Sequence, residues 1–331
     1  MNICYLSPYV KSLYKFPYNE IDLFGLTQSW NFKWSLVKNG QPLEEFNCKT
    51  NFDYISVTGT DGLDIDMLSM KTGIEILKII PSKNSVIPII EKNIHIPKII
   101  YIDSYYLDYH KNYHKKHHMV SLLILNVFEN TCVFRDYYTK KGNEEFYESK
   151  ISKDDLVKYI IIGKNQFTSD EKSIELIFFN KKTDNKLKNS FKESIIMNAK
   201  NMLYSNNKNI GINGISYFCE FIKELDYYAP CQSSLKKIYK IIFEHLCGSS
   251  GTVKTREIMS EYAKVHLSDN ILISNMFHSL SLKWNYLAFM FFKKSRKLDS
   301  IKTTDIVKKI LEIAKKEEEI ARLLITGEVY E

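Results

Sequence analysis

Cys4, His118 and Asp136 are the residues of this chain whose types and order suit covalent chemistry. Cys4 sits in Asn2-Ile3-Cys4-Tyr5-Leu6. His118 opens the apolar run Met119-Val120-Ser121-Leu122-Leu123-Ile124, and Asp136 closes Cys132-Val133-Phe134-Arg135-Asp136-Tyr137. A cysteine attacks a carbonyl carbon as its thiolate, so it needs a base, and an imidazole serves as that base when a third group fixes its tautomer. Residues 118–126 and 131–137 read as two strands joined by a turn at Glu129-Asn130. Strands of about eight residues at ~3.3 Å each, with a tight turn, return Asp136 to the histidine's end of the sheet. In that arrangement Cys4 attacks, His118 is base and then acid, and Asp136 orients His118.

His117 is the rival for the base position, because one step of strand register exchanges the two faces of a sheet. A metal is the competing chemical reading. His110, His114, His117 and His118 crowd together, and spacings of four and three put ligands on one helical face. Here the aromatic stretch Tyr105-Tyr106-Leu107-Asp108-Tyr109 and the immediate entry into a strand indicate an irregular loop instead. No HExxH motif is present, so no metal is expected. The six cysteines include no CxxC pair, which argues against a zinc ribbon or a dithiol site. Trp30, Tyr105 and Tyr106 are the aromatic candidates for lining a substrate pocket.

These residues need a scaffold, and the chain is long enough for two ordinary domains at 331 residues. A hydrophobic share of 44% with 12 Gly and 7 Pro excludes collagen-like and disordered classes. The first half reads as strands punctuated by turns: 97–103, 118–126 and 131–137, with Ser152 capping a helix that follows. The segment 74–80 fits helix or strand equally. From about residue 186 the pattern is helical, with apolar residues recurring at three and four spacing over 195–204, 215–225, 235–246, 255–266, 271–292 and 303–324. Strands first and helices second imply an α+β domain over 1–165 followed by an α-helical domain over 166–331.

The formal charge is +7, spread as lysine pairs rather than a continuous stripe, and no nucleic-acid signature is present. Nucleic acid is therefore not an expected partner. The longest apolar run, 286–292, falls far short of the ~20 residues a bilayer span needs. With no leader pattern at the start, a cytoplasmic protein without a membrane partner is expected.

Several of these stretches together resemble the butirosin biosynthesis protein H family. They are Ile99-Ile100-Tyr101-Ile102-Asp103-Ser104-Tyr105-Tyr106-Leu107-Asp108-Tyr109, then His117-His118 with its apolar strand, then Arg135-Asp136-Tyr137. The opening cysteine, Leu23-Phe24-Gly25-Leu26, Ile210-Gly211-Ile212-Asn213-Gly214-Ile215, Trp284 and Glu317-Glu318-Glu319 extend the likeness over most of the chain. The resemblance implies a papain-like cysteine peptidase fold for the N-terminal domain and an amide synthetase activity. The family's relatives include the amide synthetase of polythioamide assembly. Such proteins take an acyl group from a phosphopantetheine thioester on an acyl or peptidyl carrier protein onto cysteine, then pass it to an amine acceptor in nonribosomal pathways. No cofactor of the enzyme itself is implied. The upstream glutamine common in papain-like enzymes is absent, which leaves Asn2 and the Cys4 backbone N–H for the oxyanion. Pro8 lacks an N–H, so a helix after Cys4 is expected to start at Ser7-Pro8. A peptidase or hydrolase on the same triad, and a non-catalytic pathway scaffold, are the alternatives.

Overall fold

A computed structural model describes residues 21–22, 25, 30–39, 41–43, 51–60, 69, 74–79, 81–115, 117, 119–137, 146–167, 176–181, 190–228, 231–248, 250–267 and 271–326. Cys4 and His118 lie outside the described residues. The strands are β1 (Lys33–Lys38), β2 (Gln41–Pro42), β3 (Tyr54–Thr58), β4 (Ile74–Ile79), β5 (Lys98–Asp103), β6 (Met119–Val127), β7 (Thr131–Tyr137), β8 (Phe146–Ser152) and β9 (Leu176–Lys181). The helices are α1 (Val86–Lys92), α2 (Lys153–Phe167), α3 (Ser190–Tyr204), α4 (Gly211–Tyr228), α5 (Gln232–Cys247), α6 (Thr252–His266), α7 (Ile271–Arg296) and α8 (Thr303–Thr326). The protein is therefore of the α+β class.

Packing divides the chain differently from its composition. The described residues of Ile65–Lys186 form one unit, and those of Tyr18–Asp64 join those of Leu187–Glu331 in the other. A boundary near residue 165 is displaced for two reasons. The run Leu176-Ile177-Phe178 becomes β9, which hydrogen-bonds between β4 and β5. The strands β1–β3 belong with the helices because their aromatics pack there.

In the sheet unit six strands run β4-β9-β5-β6-β7-β8, and every pairing is antiparallel. β5 is central, and its sequence KIIYID is buried on both faces, as a strand covered from both sides must be. One face carries Ile100, Ile102, Leu122, Ile124, Cys132, Phe134 and Leu176, packed with Leu156 and Ile160 of α2 and Val86 and Ile90 of α1. The Lys98 ammonium at the start of β5 donates to the carbonyls of Ile90 at 3.2 Å and Asn93 at 2.7 Å. It thereby satisfies carbonyls that the end of α1 leaves open, and burial lowers its pKa to about 8. Ser152 Oγ accepts from the Asp155 N–H at 3.0 Å, which makes it the cap of α2.

In the helical unit α7 packs on α5, α6 and α8, and α8 packs on α3 and α4. α8 buries Ile306, Ile310, Ile313, Ala314, Ile320, Ala321 and Leu324 along one stripe, with Glu317 in the middle of it. That carboxylate is wholly buried and fully partnered. Oε1 accepts from Trp284 Nε1 at 2.7 Å and from Arg256 Nε at 2.9 Å, and Oε2 accepts from Trp30 Nε1 at 2.7 Å. Arg256 in turn donates through one terminal nitrogen to the carbonyls of Asn31 and Gly59, both at 2.8 Å. Five distant stretches of sequence (30–31, 59, 256, 284 and 317) meet on this ion pair. Phe32 stacks on Trp284 at 5.5 Å beside it. Gly211 opens α4 at φ +67°, where a β-carbon would collide with the Met202 carbonyl.

Removing one member of a buried pair leaves an uncompensated charge and typically costs ~3–5 kcal/mol. Glu317→Ala is expected to lose that much in urea unfolding followed by tryptophan fluorescence. All three tryptophans (Trp30, Trp34, Trp284) are buried in this unit, so the signal reports it alone. A loss below about 1 kcal/mol would mean that the cluster is replaceable packing.

Candidate functional site

The chemistry-bearing side chains of the sheet unit gather where β5 ends and β6 begins. β5 pairs with β6 so that Asp103 stands opposite Met119, two residues after His117. This register brings His117 Nδ1 to 2.6 Å from Asp103 Oδ2. The Asp103 side chain has no exposed surface, whereas that of His117 is 34% exposed. Asp103 Oδ1 also accepts from the Tyr105 N–H at 3.0 Å, as the cap of the short 3-10 turn Ser104–Tyr106.

The loop after this turn is an aromatic scaffold for the imidazole. Tyr105 stacks on His117 with centroids 4.2 Å apart and planes 16° apart, and on its other contact with His114 at 5.2 Å. Tyr113 stacks on His114 at 4.1 Å. Tyr106 sits edge-on to Tyr105 and stacks on Tyr159 of α2 at 5.0 Å. Asn112 Nδ2 donates to the buried Ser104 Oγ at 3.0 Å, and His114 N–H donates to the Tyr105 carbonyl at 3.0 Å. His114 takes φ +49° to close the loop. A carboxylate on one nitrogen fixes the tautomer and leaves Nε2 to take a proton. The ring is held by stacking and its carboxylate partner by burial.

Asp136 lies on the other side of the sheet. Strand alternation puts it on the face of Cys132 and Phe134, above α1 and α2, whereas Asp103 follows Ile102 onto the opposite face. Asp136 Oδ2 accepts from the Tyr109 hydroxyl at 2.8 Å, and Tyr109 stacks on Tyr147 at 3.9 Å. Burial raises the Asp136 pKa from 3.8 to about 6, with the Tyr109 hydrogen bond pulling the other way.

Of the residues read from the sequence, Tyr105 and Tyr106 stand beside an imidazole–carboxylate pair, and that pair is His117 with Asp103. Asp103 was not singled out from sequence, because nothing local distinguishes it from a strand-end cap. The signal that locates it is the β5–β6 register. His118 and Cys4 lie outside the described residues, so their approach to Asp136 or His117 is not described. Trp30 is wholly buried in the helical unit, bonded to Glu317 and edge-on to Phe277 at 4.8 Å. Its whole surface is covered there.

Among the described residues no three His, Cys, Asp or Glu side chains are grouped to hold a metal. No helix among them is long and apolar enough to cross a membrane. No protein-family model matches the chain, and no curated protein matches it in sequence.

The raised pKa of Asp136 has a definite sign for stability. A folded pKa above the unfolded one means that the fold prefers the neutral acid. That preference stabilises the fold below pH 3.8 and is lost as pH rises through about 6. Asp136→Asn is therefore expected to raise stability at pH 7.5, by up to ~3 kcal/mol, and to change it little at pH 4. Urea unfolding followed by far-UV circular dichroism at the two pH values checks this. A larger loss at pH 7.5 than at pH 4 would show that the carboxylate is held by a cation.

Proposed function

We propose that the protein is a cysteine-dependent acyltransferase that makes amides, with Cys4 as nucleophile and His117, oriented by Asp103, as general base. The observation that carries this reading is the buried carboxylate bonded to a half-exposed, ring-stacked imidazole at one end of an antiparallel sheet. That pair supplies two parts of a nucleophile–base–orienter site, and the sequence supplies the third in Cys4. The resemblance to butirosin biosynthesis protein H supplies the substrates and a papain-like fold for the sheet unit. The setting this implies is the cytoplasm.

His117 takes the proton of the Cys4 thiol, and the thiolate attacks the carbonyl of an acyl thioester carried on phosphopantetheine. The tetrahedral adduct collapses, the pantetheine sulfur leaves, and the imidazolium returns the proton to it. The acceptor amine then attacks the acyl-Cys4 thioester and gives a proton to His117. Cys4 leaves as thiolate, and the amide is released. Tyr105 keeps the imidazole in plane throughout, and Tyr106 stands next to it as a wall for the acyl chain. The net charge of +7 favours encounter with an acidic carrier protein.

The test is amide formation from a carrier-bound thioester by single variants. Cys4→Ala is expected to abolish turnover. His117→Ala should cost ~10³-fold and Asp103→Asn ~10²–10⁴-fold in kcat. His118→Ala and Asp136→Asn should stay within about tenfold of the wild type. Loss with His118→Ala and Asp136→Asn, and not with His117→Ala and Asp103→Asn, would move the base to the other pair. Full turnover by Cys4→Ala would refute covalent catalysis, and release of free acid in place of amide would make the protein a hydrolase.

A further inference from the structure

The helical unit holds a second place with the character of a binding site. A cleft of about 760 Å³ opens where the end of α4, the end of α7, the 298–302 link and the start of α8 converge. Small-molecule sites commonly span ~300–1,000 Å³, are mostly apolar, and carry a few fixed polar groups. This cleft has both components.

Its floor is a closed polar network. Asp226 accepts from the Tyr239 hydroxyl at 2.6 Å and from Thr303 Oγ1, and pairs with Lys294 Nζ at 3.0 Å. Lys294 is almost fully buried and also reaches the Leu298 and Ile301 carbonyls at 3.4 Å. Burial opposes ionisation of Asp226, but the hydrogen bonds from Thr303, Tyr239 and Lys294 outweigh it and hold its pKa below the usual value. The Asp226 charge is thus paired inside the floor. The floor also fixes the cleft's shape, because it ties α4, α5, α7 and α8 together.

The remaining lining separates into two sides. Leu298, Ile301, Val307 and the ring of Tyr227 form the apolar side, and Tyr227 is 85% exposed. Lys302, Lys223 and the hydroxyl of Thr304 form the polar side, opposed by the rim carboxylate of Asp299. Lys223 is shared with Glu220 at 2.6 Å, while Lys302 makes no ion pair among the described residues.

We propose that this cleft binds a small amphipathic anion, an acyl or aryl chain ending in a carboxylate or a phosphate. The anionic head sits against Lys302 and Thr304, and the chain lies along Leu298, Ile301, Val307 and the Tyr227 ring. The proposal is independent of the acyl-transfer reading, because it uses no residue of the His117–Asp103 site.

Isothermal titration of the full chain with 4-phenylbutyrate, 4-phenylbutyl phosphate, 4-phenylbutanol and inorganic phosphate tests it. The two amphipathic anions are expected to bind at least tenfold more tightly than either the alcohol or phosphate alone. The tighter of the two assigns the head group. Lys302→Glu, an exposed change that leaves the floor intact, should weaken both anions at least tenfold. Val307→Trp should abolish binding by filling the apolar side, and its melting temperature will show whether it folds. Failure of both anions to bind the wild-type chain overturns the proposal. So does equal binding of the alcohol, or indifference of the anions to Lys302→Glu.

Discussion

The candidate site depends on a carboxylate that has no contact with water. Asp103 ends a strand buried on both faces, where the His117 ring nitrogen and the Tyr105 N–H meet its two oxygens. An unpaired carboxylate in such a place would take a proton instead. The constraint works in both directions. The carboxylate fixes which nitrogen of His117 is engaged, and the histidine keeps the carboxylate where the strand puts it. The strand itself is held at its other end by Lys98, whose ammonium closes the carbonyls at the end of α1. β5 thus bonds at one end to the helix layer and at the other to the site.

Glu317 solves the same problem in the helical unit, with a different outcome. Its two oxygens are taken by two indoles and a guanidinium that are themselves fully buried, so no group is left over for chemistry. His117 differs in that its ring is a third exposed while its partner is not. That asymmetry separates a carboxylate that holds a core from one that holds a partly exposed imidazole. Asp136 is a third case. It is buried with a tyrosine hydroxyl as its described partner, and its pKa is raised rather than matched.

Much of this architecture was legible in the residues. The alternation in Cys132-Val133-Phe134-Arg135-Asp136-Tyr137 gives β7 to the residue, and Ser152 caps α2 as its position before two aspartates suggests. The helices of the second half follow their three-and-four spacing, since α8 buries the stripe that Ile306, Ile310, Ile313 and Ala314 begin. Long-range pairing was not legible. Trp30 reads as a pocket aromatic because only the fold brings Glu317 and Phe277 to it. β9 reads as part of a helical half because its partners β4 and β5 lie some 75 to 100 residues upstream. The site divides in the same way. Tyr105 and Tyr106 were recognisable as aromatics near a histidine, whereas choosing Asp103 required the register that sets it across from Met119. A spacing rule favours Asp136 as the partner of a histidine, because it follows one hairpin. The pairing found here runs across the preceding strand.

The central claim is that the oriented imidazole serves a covalent step at Cys4. Intact-protein mass after mixing with an acyl thioester on a carrier protein, in the absence of amine, measures that step directly. The account predicts one added acyl mass, mapped to Cys4 by peptide fragmentation and discharged when the amine acceptor is supplied. It also predicts that the adduct forms slowly in Asp103→Asn, because the base is no longer held in its working tautomer. An acyl group found on another residue, or no adduct under conditions in which amide is formed, would contradict it.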